Sequence, residues 1–262
     1  NQFKIHTQYS ICEGAVKIDQ LKDFCKKNKI KSLGLSDTYN LSGALEFSEN
    51  LSSVGTQPII GTQILFKYKE FKGLLPLIAK NYYGYKNIIK LSSKSYLENL
   101  DATTPFCELG DLINNSNGII VLTGSIKCFF GSLFNKGLFN EIEEILIKLK
   151  EKFDDNIYIE IQRHNDLNEK EFENYNLKVS EKLELPIIAS NEVYYLDKDM
   201  HDAHDALICI GEKTYVNNSS RIKLTNQHYL KSSDEMIELF KDLPEALENN
   251  FNLPFRCSFK PN

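Results

Sequence analysis

Apolar and polar positions along this chain follow two rhythms in turn. Short stretches that alternate or are wholly apolar give way to stretches with an apolar residue every third or fourth place. The first is Phe3-Lys4-Ile5-His6, which as a strand puts Phe3 and Ile5 on one face and Lys4 and His6 on the other. A polar turn through Gly14 leads to Val16–Lys27, apolar at Val16, Ile18, Leu21, Phe24 and Cys25, which predicts a helix. Residues Ile30–Asp37 predict a second strand with a polar end, and Leu41–Leu51 a second helix. Pro58–Phe66 predicts a third strand, Leu74–Ala79 a buried one, and Tyr82–Tyr96 a tyrosine-rich helix.

The same alternation continues through the second half. Gly118–Gly124 is an apolar strand ending in Thr123-Gly124, and Glu141–Phe153 is an amphipathic helix with Ile142, Ile145, Leu146 and Leu149 on one stripe. Ile157–His164 predicts a strand ending in histidine. Asn168 with Glu171 has the spacing of a capping box for a helix reaching about Leu183. Leu185–Glu192 predicts another strand, followed by Asp202–Ile210 and a helix over Ser233–Asn249 capped by Ser232 and Glu235. Such alternation predicts parallel strands with helical crossovers, in an open doubly wound sheet or a barrel. About six or seven strand–helix units approach the number that closes a barrel. No G-x-G-x-x-G or G-x-x-x-x-G-K-[ST] follows a strand, which disfavours a nucleotide-binding open sheet.

Composition adds limits. The net charge is −5, with no basic block to grip a nucleic acid backbone. The six cysteines are scattered without a C-x-x-C pair, so a zinc ribbon or disulfide framework is not expected. No apolar run approaches the length of a membrane span, and no signal peptide precedes the first strand. A soluble, cytoplasmic protein is the expectation, with no membrane partner. The chain opens inside a strand at Asn1 and stops just past a helical pattern, which reads as one domain, residues 1–262, of a longer protein.

On the barrel reading, Lys4, His6, Asp37, Gln63, Thr123, His164 and Glu192 share the rim at the strand ends, with Glu13 just after the first strand. Imidazole and carboxylate donors on one rim are what a divalent metal and its polarised water require. The bland reading of His6 and His164 is a hydrogen-bonded histidine at a strand end. His201 and His204 read as a helix start with partly exposed rings, and His228 as surface. Tyr82, Tyr83 and Tyr85 lack interleaved basic residues beyond Lys80 and Lys86, so packing or a protein contact is favoured over base stacking. No Ser-His-Asp or Cys-His nucleophile can be argued; Cys12 lies near His6 but has no second base.

Local sequences carry a more specific signal. His6-Thr7-Gln8-Tyr9-Ser10 with Glu13-Gly14-Ala15 resembles the first motif of the PHP (polymerase and histidinol phosphatase) family. Leu35–Asn40 with Gly43-Ala44 resembles the second motif, Pro58-Ile59-Ile60-Gly61 the third, and Ala189–Leu196 the fourth. Ala79-Lys80-Asn81 with Gly84–Asn87, Leu122-Thr123-Gly124, Ile159–His164 and Leu243–Leu247 resemble the PHP domain of bacterial DNA polymerase III alpha subunits. The resemblance runs in order along essentially the whole chain.

It implies an α/β fold, a distorted (β/α)7 TIM-like barrel, with a metal cluster at the carboxyl ends of the strands. In polymerases with the full ligand set, the domain can act as a metal-dependent 3′–5′ exonuclease. Here the paired histidines of the first motif appear as Lys4 and His6, and the Asp-His of the second as Asp37 and Thr38. The acidic ligand of the third appears as Gln63, and the Asp-x-His of the fourth as Glu192 and Tyr194. His6, Glu13, Asp37, His164 and Glu192 remain as a vestigial metal set, expected to be empty.

Lys4 is expected to stand in for the metal by pairing with Asp37 or Glu192, since buried carboxylates need a counter-charge. No catalytic residue and no cofactor are expected in this part, with zinc or manganese at the rim the alternative and magnesium serving the parent polymerase. The resemblance implies an amino-terminal scaffold that supports the rest of the alpha chain, docks a proofreading exonuclease subunit, and meets DNA through the parent polymerase. The alternatives are a residual metal-dependent phosphoesterase and, without the resemblance, a TIM-like barrel hydrolase unrelated to replication.

Overall fold

In the computed structural model, residues 1–98 and 103–261 are described. The first strand, β1 (Gln2–Ile5), is followed by α1 (Ile18–Asn28), β2 (Ser32–Leu35), β3 (Asp37–Thr38) and α2 (Ala44–Ser52). Then come β4 (Gln57–Ile59), β5 (Gly61–Tyr68), β6 (Phe71–Ala79), α3 (Tyr82–Leu97), β7 (Cys107–Glu108) and α4 (Leu109–Asn114). The second half holds β8 (Ile119–Leu122), α5 (Phe129–Asn135), α6 (Phe139–Phe153), β9 (Ile157–Ile161), α7 (Glu169–Leu183), β10 (Ile187–Ala189) and β11 (Glu192–Val193). It closes with α8 (His201–Gly211), α9 (Ser233–Leu239) and α10 (Pro244–Asn252).

The strands pair in two sheets, which the running chain joins at both ends. β1 pairs with β2 and β2 with β4, and the chain runs from β4 into β5 across Ile60. β5 pairs with β6, β6 with β8, β8 with β9, and β9 with β10. The chain then crosses Ser190 and Asn191 into β11, which pairs with β1. With β3 continuing β2, the staves are those of a distorted (β/α)7 barrel. The distortion is β6, which runs antiparallel to both β5 and β8. Only Lys69 and Glu70 link β5 to β6, with Lys69 at φ 53°, so a tight hairpin replaces the helical crossover that uniform strand–helix alternation predicts.

Inside the ring, Phe3, Ile59, Ile78, Ile120, Leu122, Tyr158 and Ile188 pack together over Leu253 and Cys257. Outside it, α1 and α2 pack Leu21, Cys25, Phe47 and Leu51 against Ile5, Leu33 and Val193. Each large side chain buried this way contributes about 1.5–3 kcal/mol. Phe3 and Ile5 therefore do not share a face as strict alternation predicts. The β1–β2 register shifts between Gln2 and Ile5, turning Phe3 inward while Ile5 faces the helices.

Two helix expectations are corrected. The run Ser233–Asn249 is not one helix but α9 and α10, because Pro244 occupies the first turn of α10, where its missing N–H costs nothing. Ser232 and Glu235 do form the expected capping box. Asn168 does not cap α7 with Glu171. It sits at φ 63° and makes no cap hydrogen bond, and its side chain donates to Asn135 Oδ1 at 3.1 Å. Among the described residues, no helix is long and apolar enough to cross a membrane.

Candidate functional site

Parallel staves deliver their carboxyl ends to one rim, and the polar residues of the motifs meet there. Lys4, from the middle of β1, is wholly buried. Its Nζ lies 3.3 Å from Glu192 Oε1 and 3.4 Å from Glu160 Oε1. These are charge contacts rather than well-directed hydrogen bonds, since Nζ has no hydrogen-bond partner of good geometry. Burial works against the ammonium, yet the two carboxylates outweigh it and hold Lys4 above its usual range. The same pairing, with His6 and Gln63, overcomes burial of Glu192 and holds its carboxyl well below the usual value.

Glu192 Oε1 is surrounded by donors. His6 Nε2 lies at 3.0 Å and the Gln63 amide donates at 2.6 Å. Asp37 occupies a cradle of its own donors beside this group. The Thr7 N–H and Ser10 hydroxyl donate to Oδ1, each at 2.7 Å, and the Thr7 hydroxyl donates to Oδ2 at 2.8 Å. Burial still raises the Asp37 pKa above the usual carboxylate value, against the pull of these bonds. Thr38 donates to Glu13 Oε2 at 2.6 Å, and its hydroxyl lies 3.4 Å from His6 Nδ1. Gly14 makes this loop possible: a Cβ there would fall 2.1 Å from the Thr7 carbonyl oxygen and 2.6 Å from that of His6.

Tyr194 covers His6, its ring stacked at 4.3 Å and 11°. Burial, then the nearby Glu192 and Glu13, raises its phenol well above the usual pKa. A second cluster lies beyond it. His164 and His228 stack face to face at 4.1 Å and 4°, both buried. The expectation that His228 is a surface residue is thus wrong: the loop after α8 folds back and lays its ring on His164. His164, Asp166 and His228 each bring one ligand atom within 4.8 Å of the others. His201 does open α8, but His204 is buried rather than partly exposed, its Nε2 donating to the Glu13 carbonyl at 2.6 Å.

Residues 2–164 match the PHP domain family. The chain belongs to the PHP family. It is 33% identical to the DNA polymerase III subunit alpha of Caulobacter vibrioides over 98% of this chain and 23% of that protein. The Rickettsia conorii subunit is 36% identical, covering 98% of this chain and 22% of that protein. For the Borreliella burgdorferi subunit the identity is 34%, with 97% and 23% covered. The chain thus spans about a fifth of the length of these relatives.

Of the PHP positions expected at the rim, His6, Glu13, Gln63, Glu192 and Thr38 form one hydrogen-bonded group, which Lys4 joins by its charge contact with Glu192. Lys4 pairs with Glu192 as one of the expected alternatives, but Asp37 is not its partner. Asp37 joins the group through Ser10, whose hydroxyl lies 3.3 Å from His6 Nδ1. His164 sits apart, with its Nε2 3.2 Å from the Glu192 backbone nitrogen. Thr123 is a backbone brace, accepting the Glu160 N–H at 2.9 Å.

Sequence reasoning overlooked Glu160, Asp166 and Glu169, gave Ser10 no role within its motif, and read His228 as surface. Glu160 had a usable signal, since Tyr158, Glu160 and Gln162 alternate with Ile157, Ile159 and Ile161, which face the helices. A metal ion at Glu192 would face the Lys4 ammonium and would need to displace the Gln63 and His6 donors. The donor set of this group does not fit a metal cluster.

Proposed function

We propose that this chain is the PHP domain of a DNA polymerase III alpha subunit, amino-terminal in its parent, that has exchanged metal chemistry for a structural and docking role. The observation that carries this is the Lys4 ammonium, buried between Glu160 and Glu192 where the PHP resemblance implies a cation. A fixed positive charge neutralises the carboxylates but supplies no Lewis acid and no activated water. Gln63 supports the same reading, since its amide donates to Glu192 where an acidic residue would hold metal. Polymer synthesis then belongs to the remainder of the parent chain, and a proofreading exonuclease subunit is the partner that the resemblance suggests.

The second reading is a residual metal-dependent phosphoesterase. In its favour, His6, Glu13, Asp37 and Glu192 still adjoin within one network. Against it, Asp37 has three donors from the chain itself, and Glu192 faces an internal cation. The deciding experiment is a 3′–5′ nuclease assay on the full-length protein with manganese or zinc, beside Glu192→Gln and Asp37→Asn variants. All three are expected to share the same background rate. A wild-type rate that either substitution abolishes would establish the phosphoesterase instead.

A further inference from the structure

We propose that His164, Asp166 and His228 bind one divalent cation of the zinc class at a site separate from the Lys4 group, with Glu169 at its edge beside His164. His164 alone belongs to the ligand set that the PHP resemblance implies; the other three residues lie outside it. Three neighbouring polar atoms point to the site. His164 Nδ1, His228 Nε2 and Glu169 Oε1 are buried and have no hydrogen-bond partner among the described residues. Both rings are almost fully enclosed, with 0% and 2% exposure. Leaving several adjacent buried donors or acceptors unmatched is costly, and one shared partner would satisfy them together.

The spacing suits an ion better than hydrogen bonds. His164 Nδ1 lies 3.5 Å from Glu169 Oε1, and His228 Nε2 lies 3.7 Å from Asp166 Oδ2. Both are too long for hydrogen bonds. They approach the edge of roughly 3.3–3.5 Å between donors around a tetrahedral zinc with bonds of about 2.0–2.1 Å. Two imidazoles and a carboxylate form a donor set that favours zinc over magnesium or calcium.

The outward nitrogen of His228 is held in the manner typical of metal-bound histidines. His228 Nδ1 meets the Glu192 carbonyl at 3.1 Å, so it carries the proton and leaves Nε2 bare. His164 Nε2 accepts the Glu192 N–H at 3.2 Å and lies 3.0 Å from the Asn191 amide oxygen, which could take its proton only if the ring turned away from that N–H. Asp166 Oδ1 is already tied to Lys127 at 2.6 Å, which aims Oδ2 at His228. Parallel rings send their lone pairs side by side, so binding requires one ring to tilt out of the stack. Glu192 supplies backbone contacts to both rings, so the ion would brace β11 without opening a catalytic position.

The test uses the full-length protein carrying this chain, stripped with chelator and titrated with zinc and then cobalt. Wild type is expected to take up one more equivalent of zinc than His228→Gln or Asp166→Asn. Cobalt should give it a visible absorption band that both variants lack. Asp166 is at the edge of solvent, so its variant keeps the test valid if His228→Gln fails to fold. Equal uptake by wild type and both variants, or no uptake at all, overturns the proposal and leaves the metal-free reading of the Lys4 group standing. Uptake that survives both variants but is lost with Glu192→Gln overturns both readings.

Discussion

Lys4 holds its charge where no solvent reaches it, against two carboxylates within 3.4 Å. Removing one member of a buried ion pair strands the other, at a cost of about 3–5 kcal/mol. Lys4→Met should therefore lower the melting temperature clearly, and Lys4→Met with Glu192→Gln should lower it less than the two single changes summed. Additive losses would mean that the contact carries no coupling. The pH dependence follows from the two shifts. Glu192 has its folded pKa below 4.5, so its stabilisation is full above that pH and is lost as the medium acidifies. Lys4 has its folded pKa above 10.5, so its stabilisation is full below that pH and is lost in stronger alkali. The difference between wild type and Lys4→Met should thus be flat between these limits and shrink on the acid side. The Lys4–Glu192 pair was legible because both residues stand at motif positions. Glu160 was passed over although its alternation with Ile159 and Ile161 marks it, because it lies inside a strand rather than at its end.

At the scale of elements, helix starts depend on a few side chains. Ser232 accepts the Glu235 N–H at 3.2 Å, and Glu235 accepts the Ser232 N–H at 2.7 Å. Ser232→Ala should cost about 1 kcal/mol, read as a small fall in the urea midpoint with an unchanged slope. A midpoint shift of nothing would mean that solvent caps α9 as well as serine does. Elements were legible wherever one period dominated: α1, α3 and α6 begin and end within a few residues of their apolar runs. Two features were hidden from that kind of reading. The turn of the β5–β6 hairpin lacks a glycine and relies on Lys69 in a left-handed conformation. At Asn168 the capping spacing misleads, because Glu169 turns back instead to accept the His164 N–H at 2.7 Å.

For the whole molecule, the barrel was legible because strand and helix patterns alternate along the chain, but nothing local marks where the ring closes. That seam runs through Ser190 and Asn191, where one stave shifts from pairing with β9 to pairing with β1. Asn191 ties its sides together. Its amide donates to Gln2 Oε1 at 2.7 Å and to the Tyr229 carbonyl at 2.9 Å, while its oxygen accepts from Lys231 at 2.9 Å. These partners come from β1 and from the loop before α9, so one side chain joins parts of the chain nearly as far apart in sequence as it allows. Asn191→Ala would leave buried groups without partners at roughly 1–3 kcal/mol each. Hydrogen exchange should then quicken first at the amides of β1 and β10, beside the seam, while those of the β5–β6 hairpin keep their protection. The hairpin has its own eight paired positions and does not depend on closure. Uniform acceleration across all staves would instead mean that the ring opens as a single unit and that the seam is no weaker than the rest.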